Sequence, residues 1–307
     1  MTYPQIIHAL SIATTVALPS LGVGLGQALI GKGVLKALDQ QPSSAGLINS
    51  QFLISVVVTE TAAILGTIIG LLLLFTHHNY PIAAIGMALS VAIPGFVIGL
   101  CSAFPSCAAL QATARQPFMH RKITNLLLIT LSILQTPLVF GFIMSLIIRN
   151  QLPNILQVSS SIVLCASGCA LALGSIGPTI GLTYFGLASC KTLGRYPSSY
   201  QQILTFTFIS QAMIETPTLF AFVIALTMAF MPNPPSIFVC IAVACSVGLS
   251  TLGVGIASGK TAGTTCQEIG KHPEHYSLLL RTSALGQAII DTGAIYGLII
   301  SFILLFA

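Results

Sequence analysis

Four polar positions recur at regular spacing in the long apolar segments of this sequence. Each lies 18 residues after a proline, and the intervals between them are 75, 80 and 76 residues. The four are Glu60, Gln135, Glu215 and Asp291, and a threonine follows each one. An unpaired charge near the centre of a bilayer costs about 2.5–3.5 kcal/mol on insertion scales, so a carboxylate there is protonated or neutralised by a bound cation. Such a group can carry a proton or a metal cation.

A carboxylate inside a membrane segment can also serve only to join helices through hydrogen bonds. A single polar residue would leave both interpretations open. Three carboxylates at one repeated offset, Glu60, Glu215 and Asp291, favour ion binding, because ionisable groups inside membranes are functional as a rule.

The elements that must position these residues are transmembrane helices. Hydrophobic residues make up 55% of the 307 residues and charged residues 6%, and the mean hydropathy is +0.96, which excludes an ordinary soluble domain. A stretch of about 20 apolar residues spans a bilayer. Eight such helices are expected, at 9–37, 46–75, 82–113, 122–148, 156–192, 201–231, 236–267 and 276–306. The predicted fold class is therefore an all-α membrane protein.

Internal repeats group these helices into four hairpins. The connections within the hairpins read LDQQPSS, TARQPFM, LGRYPSS and IGKHPEH, and their prolines are Pro42, Pro117, Pro197 and Pro273. Because each repeat contains two helices, successive repeats enter the membrane in the same direction, as parallel tandem copies. The predicted hairpins cover residues 1–76, 77–150, 151–232 and 233–307.

The basic residues predict the orientation of the hairpins. Ten of them lie in or towards the connections after the odd-numbered helices, and Arg149 alone lies on the opposite side. The ten are Lys32, Lys36, Arg115, Arg121, Lys122, Lys191, Arg195, Lys260, Lys271 and Arg281. By the positive-inside rule these connections are cytoplasmic and both termini face the other compartment. The net charge of +5 is spread too widely for nucleic acid to be a partner.

The first helix of each hairpin is rich in small residues. The first hairpin contains GVGLGQALIGKG and the fourth contains GVGIASG. Small residues at such spacing let helix backbones approach closely in lipid. Four such helices in tandem, each followed by a helix with one polar position, predict concentric packing with the glycine-rich helices inside.

These features together resemble the proteolipid, or c-subunit, of F-type rotary ATP synthases, with four hairpins fused in tandem and a relation to V-type proteolipids. The resemblance rests on the glycine-rich inner helix, the outer-helix carboxylate and the Arg115-Gln116-Pro117 loop. It implies a non-catalytic rotor subunit that forms part of a homo-oligomeric ring and translocates H+ or Na+ without a cofactor. The alternatives are a stand-alone cation transporter or channel built from the same hairpins, and an inert pore.

The resemblance also implies partners and a location. A stator subunit with an essential arginine would load and unload the carboxylates, and membrane lipid would surround the ring in a bacterial inner membrane. Central-stalk subunits of the catalytic head would contact the hairpin loops. The loop residues concerned are Gln41, Pro42, Arg115, Gln116, Pro117, Arg195, Pro197, Lys271 and Pro273.

The ion ligands implied by the resemblance are a carboxylate, the hydroxyl after it, a backbone carbonyl two residues before it and an inner-helix glutamine. Beside the carboxylates these are Thr61, Thr216, Thr292, Gln27 and the carbonyl of Met213. Pro217 leaves that carbonyl without its helical donor, although a simple kink is an equal interpretation.

The segment GQAIIDTGAIY, with Gln287 and Tyr296, resembles the sodium-type outer helix. We hypothesise a Na+ site in which Gln27 of one chain meets Asp291 and Thr292 of the next. Protons are slightly favoured for the chain as a whole, because a proton needs fewer ligands and Gln27 has no equivalent in the other hairpins. Gln135 cannot take part in the charge cycle, so the second hairpin is expected to be silent and the ring to move fewer ions per turn.

Overall fold

The computed structural model describes residues 3–76, 81–154, 157–231 and 235–306. Within those ranges it contains ten α-helices and no strand. They are α1 (Tyr3–Gln40), α2 (Ala45–Leu74), α3 (Ile82–Cys101), α4 (Ala103–Arg115), α5 (His120–Leu134), α6 (Thr136–Gln151), α7 (Val158–Arg195), α8 (Tyr200–Ala229), α9 (Ile237–Lys271) and α10 (Tyr276–Phe306). Because α3 continues into α4 and α5 into α6, the described residues form eight helices long and apolar enough to cross a membrane. The predicted fold class is confirmed.

Each hairpin turns at its loop proline in the same way. The proline opens a single 3-10 turn, as in Pro42–Ser44 and Pro197–Ser199. The residue before it is held away from helical geometry, with φ −146° and ψ 75° at Gln41 and φ −127° and ψ 72° at Tyr196. Steric clash with the proline ring disfavours the α conformation at that position. The repeated proline therefore ends one helix and starts the next at the same level.

The glycine-rich helices α1, α3, α4, α7 and α9 lie side by side in the order of the chain. A Cβ at Gly26 would lie 2.0 Å from the Gly99 carbonyl oxygen, and one at Gly181 would lie 2.0 Å from that of Gly255. Backbone touches backbone at these points, which is why only glycine fits. The other helices, α2, α5, α6, α8 and α10, pack behind this layer and contact one another sparsely. The predicted inner and outer layers therefore exist within the chain.

Two of the predicted spans contain a one-residue break in the regular helical hydrogen-bond pattern, at which the backbone nevertheless stays in the α region. The span expected at 82–113 breaks at Ser102, three residues before Pro105, which has no N–H for the Cys101 carbonyl. The span expected at 122–148 breaks at Gln135, two residues before Pro137. Pro217 occupies the equivalent place in α8, yet α8 is continuous from Tyr200 to Ala229. A proline in the sequence therefore does not by itself locate a break.

Candidate functional site

The silent position, Gln135, contacts the outer helix of the hairpin before it. Its Nε2 atom donates a hydrogen bond to the backbone oxygen of Val58 on α2, at 3.1 Å. Val58 lies two residues before Glu60, in the place from which the family resemblance draws a backbone ligand. The Gln135 amide thus donates to a carbonyl oxygen that could equally accept a hydrogen bond from a protonated carboxyl or bind a cation.

The next position repeats this relation one hairpin further on. The Thr136 hydroxyl is a neighbouring side-chain group that interacts with the Glu215 carboxyl, and Thr136 directly follows Gln135. Glu215 is only partly exposed. A site residue on one outer helix therefore faces the hydroxyl or carbonyl groups of the outer helix before it.

The third position, Asp291, is enclosed within the chain. Only 9% of it is exposed, and α10 packs against α8 and α9 at this level. Its Oδ1 atom is buried without a hydrogen-bond partner among the described residues. A bound proton or cation would satisfy this buried oxygen.

The first and the last outer helix each expose polar residues at the level of the site. Glu60 on α2 is exposed, and so are Thr292 and Tyr296 on α10, the latter at 65%. Asp291 and Thr292 therefore lie on different sides of α10, the first towards the third hairpin and the second on a free edge. The structure does not place them together at one point within the chain.

The site threonines are oriented as oxygen ligands. Thr61 Oγ1 donates to Val58 O at 2.7 Å, and Thr292 Oγ1 donates to Ile289 O at 2.7 Å. Thr216 Oγ1 donates to Ala212 O at 3.1 Å. Because each hydroxyl hydrogen is used within its own helix, the oxygen lone pairs are available to accept a hydrogen bond from a protonated carboxyl group or to bind a cation.

Inner-helix residues also reach the outer layer. The hydroxyls of Ser102 and Thr59 are hydrogen-bonded at 3.0 Å, and they join the second inner helix to the residue just before Glu60. Gln27 stands at the same offset from its loop proline as Ser102 and is partly exposed at the free edge of α1. Ser102 bonds to the outer helix of the preceding hairpin, and Gln27 belongs to the first hairpin. An equivalent partner for Gln27 would therefore have to come from another copy of the chain.

Gln287 is already occupied by hydrogen bonds. Its Nε2 atom donates to Ser283 Oγ at 3.0 Å and to Ser210 Oγ at 3.4 Å, and its Oε1 atom accepts from Ser258 Oγ at 3.3 Å. It supports the helices around Asp291 rather than presenting a free ligand. Met213, by contrast, keeps a carbonyl with no helical donor, since Pro217 lies four residues later inside α8.

The repeats match a family of known proteins. The family model for the ATP synthase C-subunit matches residues 10–73, 165–228 and 241–304. The chain belongs to this family. The three matched stretches carry Glu60, Glu215 and Asp291, whereas Gln135 lies outside them.

Individual relatives each align with about one hairpin of the chain. An ATP synthase c-subunit of Alkaliphilus oremlandii is 46% identical over 59 residues, which is 19% of this chain and 67% of that protein. One of Dehalococcoides mccartyi is 36% identical over 68 residues, 22% of this chain and 90% of that protein. One of Thermosynechococcus vestitus is 37% identical over 67 residues, 22% of this chain and 82% of that protein.

Family membership confirms the resemblance drawn from the repeats. The chain is an integral membrane protein and a non-catalytic rotor subunit of an ATP synthase. The sequence did not reveal the neighbours of the site, namely the Val58 carbonyl and the Thr136 hydroxyl. The repeat offset fixes the depth of both groups in the membrane, but not the rotation of the helices that brings them against Gln135 and Glu215.

Proposed function

We propose that the chain binds H+ or Na+ at Glu60, Glu215 and Asp291, each site lying between two consecutive outer helices. The observation that carries this proposal is the hydrogen bond of Gln135 to the Val58 carbonyl on the preceding outer helix, and the interaction of Glu215 with Thr136 of its own preceding outer helix supports it. By the same relation Asp291 would be served by the Thr216 hydroxyl and the Met213 carbonyl. The ligands of one ion then come from two hairpins.

A neutral site and a charged site behave differently in lipid. A protonated carboxyl donates its hydrogen to a threonine oxygen or a backbone carbonyl and can face hydrocarbon at little cost. Once the ion leaves, the carboxylate needs a polar path and a counter-charge, which the arginine of a stator subunit would supply. The transmembrane potential, about 2.3 kcal/mol per charge per 100 mV, then drives exchange in one direction around the ring.

The free edges of the chain fit a second copy. Gly24 lies 18 residues before its loop proline, and a Cβ there would meet nothing within 4 Å. Its counterpart Gly99 packs within the chain, where a Cβ would lie 2.6 Å from the Val23 nitrogen. On the other edge Gly253 is open too, whereas its counterpart Gly177 would place a Cβ 2.4 Å from the Leu252 Cα. The open glycines are therefore in the right places for the first hairpin of one copy to pack on the fourth of another.

This seam would complete the site of Glu60. The exposed Thr292 and the Ile289 carbonyl of one copy would lie next to Glu60 of the following copy. Thr136 occupies the equivalent place next to Glu215 within the chain. Gln27 would enter from the same copy as Glu60, in the manner of Ser102 beside Thr59. The set of sodium-type ligands that we placed at Asp291 from the sequence is thereby assigned to Glu60, with Asp291 keeping the contacts inside its own chain.

The loops offer a surface to a central stalk. Arg115 and Arg195 are exposed at the ends of α4 and α7, next to their loop prolines, and Lys271 is exposed with a salt bridge to Glu268 at 2.7 Å. We assign this end to the cytoplasm and the membrane to a bacterial inner membrane. The division into hairpins at 1–76, 77–150, 151–232 and 233–307 belongs to the same proposal.

Carbodiimide labelling of the purified ring tests the proposal. Three carboxyl groups per chain should be modified, at Glu60, Glu215 and Asp291, and each modification should inhibit ion-coupled ATPase activity. If sodium is an ion of the ring, it should slow the labelling of Glu60 most, because that site has the fullest ligand set. Labelling of Glu60 without any loss of coupled activity would contradict the proposed ion-carrying role.

A further inference from the structure

A buried amide one helical turn before Glu215 has no polar partner. Gln211 lies four residues earlier on α8, about 6 Å along the helix axis. It is 0% exposed, and both its Oε1 and Nε2 atoms are without a hydrogen-bond partner among the described residues. Proteins satisfy nearly all such groups with protein atoms or ordered water. An amide with both ends open therefore indicates a small polar guest.

The equivalent amide in the fourth hairpin shows the contrast. Gln287 lies four residues before Asp291, as Gln211 does before Glu215. Three hydroxyl groups satisfy it, those of Ser283, Ser210 and Ser258. The same side chain at the same level of the membrane is thus fully bonded in one hairpin and unbonded in the other.

The repeat explains the difference at Gln211. The counterpart of Ser258 on the inner helix is Leu182, which cannot donate a hydrogen bond. The counterpart of Ser210 on the preceding outer helix is Thr130. Thr130 is also 0% exposed, and its Oγ1 atom is also without a hydrogen-bond partner among the described residues. The two unpartnered groups are therefore the counterparts of the bonded pair Gln287 and Ser210.

The surroundings exclude a large or charged guest. Leu127, Leu131, Leu182 and Ile214, each within four residues of Thr130 or Gln211 or at the counterpart of Ser258, belong to one buried apolar cluster. Thr130 is held tightly against α7, since a Cβ at Gly186 would lie 2.4 Å from its Cγ2 atom. A molecule bound here would contact apolar side chains and the polar atoms of Gln211 and Thr130. A single water molecule with two or more hydrogen-bond partners fits such surroundings.

We propose that Gln211 and Thr130 hold an internal water molecule on the loop side of Glu215. The Gln211 amide and the Thr130 hydroxyl both bind it, and it satisfies groups that the protein leaves open. One turn from Glu215, the Gln211 amide is then hydrated. One turn from Asp291, the Gln287 amide is not, because the serines around it make the hydrogen bonds that water would make. The two carboxylates of one chain differ in hydration.

The water site has one consequence that rests on the proposed role of Glu215. A proton that leaves Glu215 towards the loop side meets water, whereas a proton that leaves Asp291 does not. The binding of water itself can be measured without ion transport. Failure of the ion-carrying proposal and failure of the water site are therefore distinguishable.

Water-edited solid-state NMR of the full chain in lipid bilayers provides the test. Side-chain amides labelled with nitrogen-15 would be assigned in the wild-type protein through their own backbone signals. Magnetisation from water should reach the Gln211 amide several-fold faster than the Gln287 amide, because only the first contacts water. Equal transfer to both amides would overturn the proposal.

Matched substitutions sharpen the result. Thr130→Val removes the second polar partner and keeps the shape of the side chain, so transfer to Gln211 should fall to the level of Gln287. Ser210→Ala, the counterpart change, should leave Gln211 unaltered. A Gln211 resonance that moves when potassium in the buffer is replaced by sodium would show a bound cation in place of water, and would equally overturn the proposal.

Discussion

Restoring a carboxylate at the silent position should create a fourth ion site in the chain. Gln135 already faces the Val58 carbonyl at 3.1 Å, and the Thr61 hydroxyl of the same outer helix is bonded to that carbonyl too. Glu has the same length as Gln. The protonated carboxyl of a Gln135→Glu variant can therefore donate its hydrogen where the amide now donates, and folding should be nearly unaffected.

The size of the expected change in ion transport follows from the number of carboxylates in the membrane helices. The protonation state of the new carboxyl follows from the cost of a charge in lipid. Of the six acidic residues in the wild-type chain, three stand at the repeated position within the membrane helices, Glu60, Glu215 and Asp291. The variant has four at that position, so the ring should move four ions for every three moved before. Ionisation of the new group in lipid costs about 2.5–3.5 kcal/mol, or a factor of about 70–400 against the charged form. The new carboxyl should thus be mostly protonated in lipid and reactive towards carbodiimide.

Two measurements check this prediction. Mass spectrometry after exhaustive carbodiimide labelling should find four modified carboxyls per chain, and the number of ions pumped per ATP should rise by one third. Gln135→Met is the matched control, because it removes the hydrogen bond to Val58 without adding a carboxylate and should leave both numbers unchanged. A Gln135→Glu ring that labels at four positions but pumps with the wild-type ratio would refute the view that the second hairpin is silent for want of a carboxylate.

Three further predictions separate contacts within the chain from contacts between chains. A Cβ at Gly26 would lie 2.0 Å from the Gly99 oxygen, well inside the 3.3 Å or so at which carbon and oxygen ordinarily touch, so Gly26→Ala should destabilise the single chain by about 1–3 kcal/mol in thermal unfolding. Gly24→Ala should leave that unfolding unchanged and lower the yield of assembled ring on native gels, and an undiminished yield would argue against the proposed seam. Gln27→Leu should abolish any protection by sodium at Glu60 while the other two carboxylates label as before, and protection that survives would show that Gln27 is not a ligand.

The fold was predictable because the signals for it are local and repeated. Apolar runs long enough to span a bilayer fix the number of helices. A loop proline disfavours helical geometry in the residue before it, as His272 shows with φ −128° and ψ 66°. The breaks at Ser102 and Gln135 were not predictable, since Pro217 leaves α8 continuous in a closely similar sequence context.

The depth of the site residues in the membrane was predictable from the sequence, but the residues that contact them were not. Spacing from the loop proline places Glu215 and Asp291 at one depth, because helices rise by a fixed amount per residue. It says nothing about how each helix is rotated, and rotation decides that Asp291 is buried while Thr292 is exposed. The partners of Gln287 illustrate the same limit: Ser283 can be read from the helix itself, whereas Ser210 lies 77 residues away and is brought near only by packing.

Fusion of the hairpins explains how such different sites can stand in one ring. In a ring of identical hairpins every contact between neighbours is the same, so a change that suits one site alters all of them. In this chain each boundary joins two particular hairpins. Gly181 can meet Gly255 at one boundary while Gln135 holds Val58 at another, and neither constrains the other. A lost carboxylate, a serine-bonded amide and an unbonded amide can then coexist, provided that the boundary between copies remains complementary. In the proposed ring, that boundary is the one at which Gly24 and Gly253 are open, and there the next copy would repeat the contacts that the chain makes within itself.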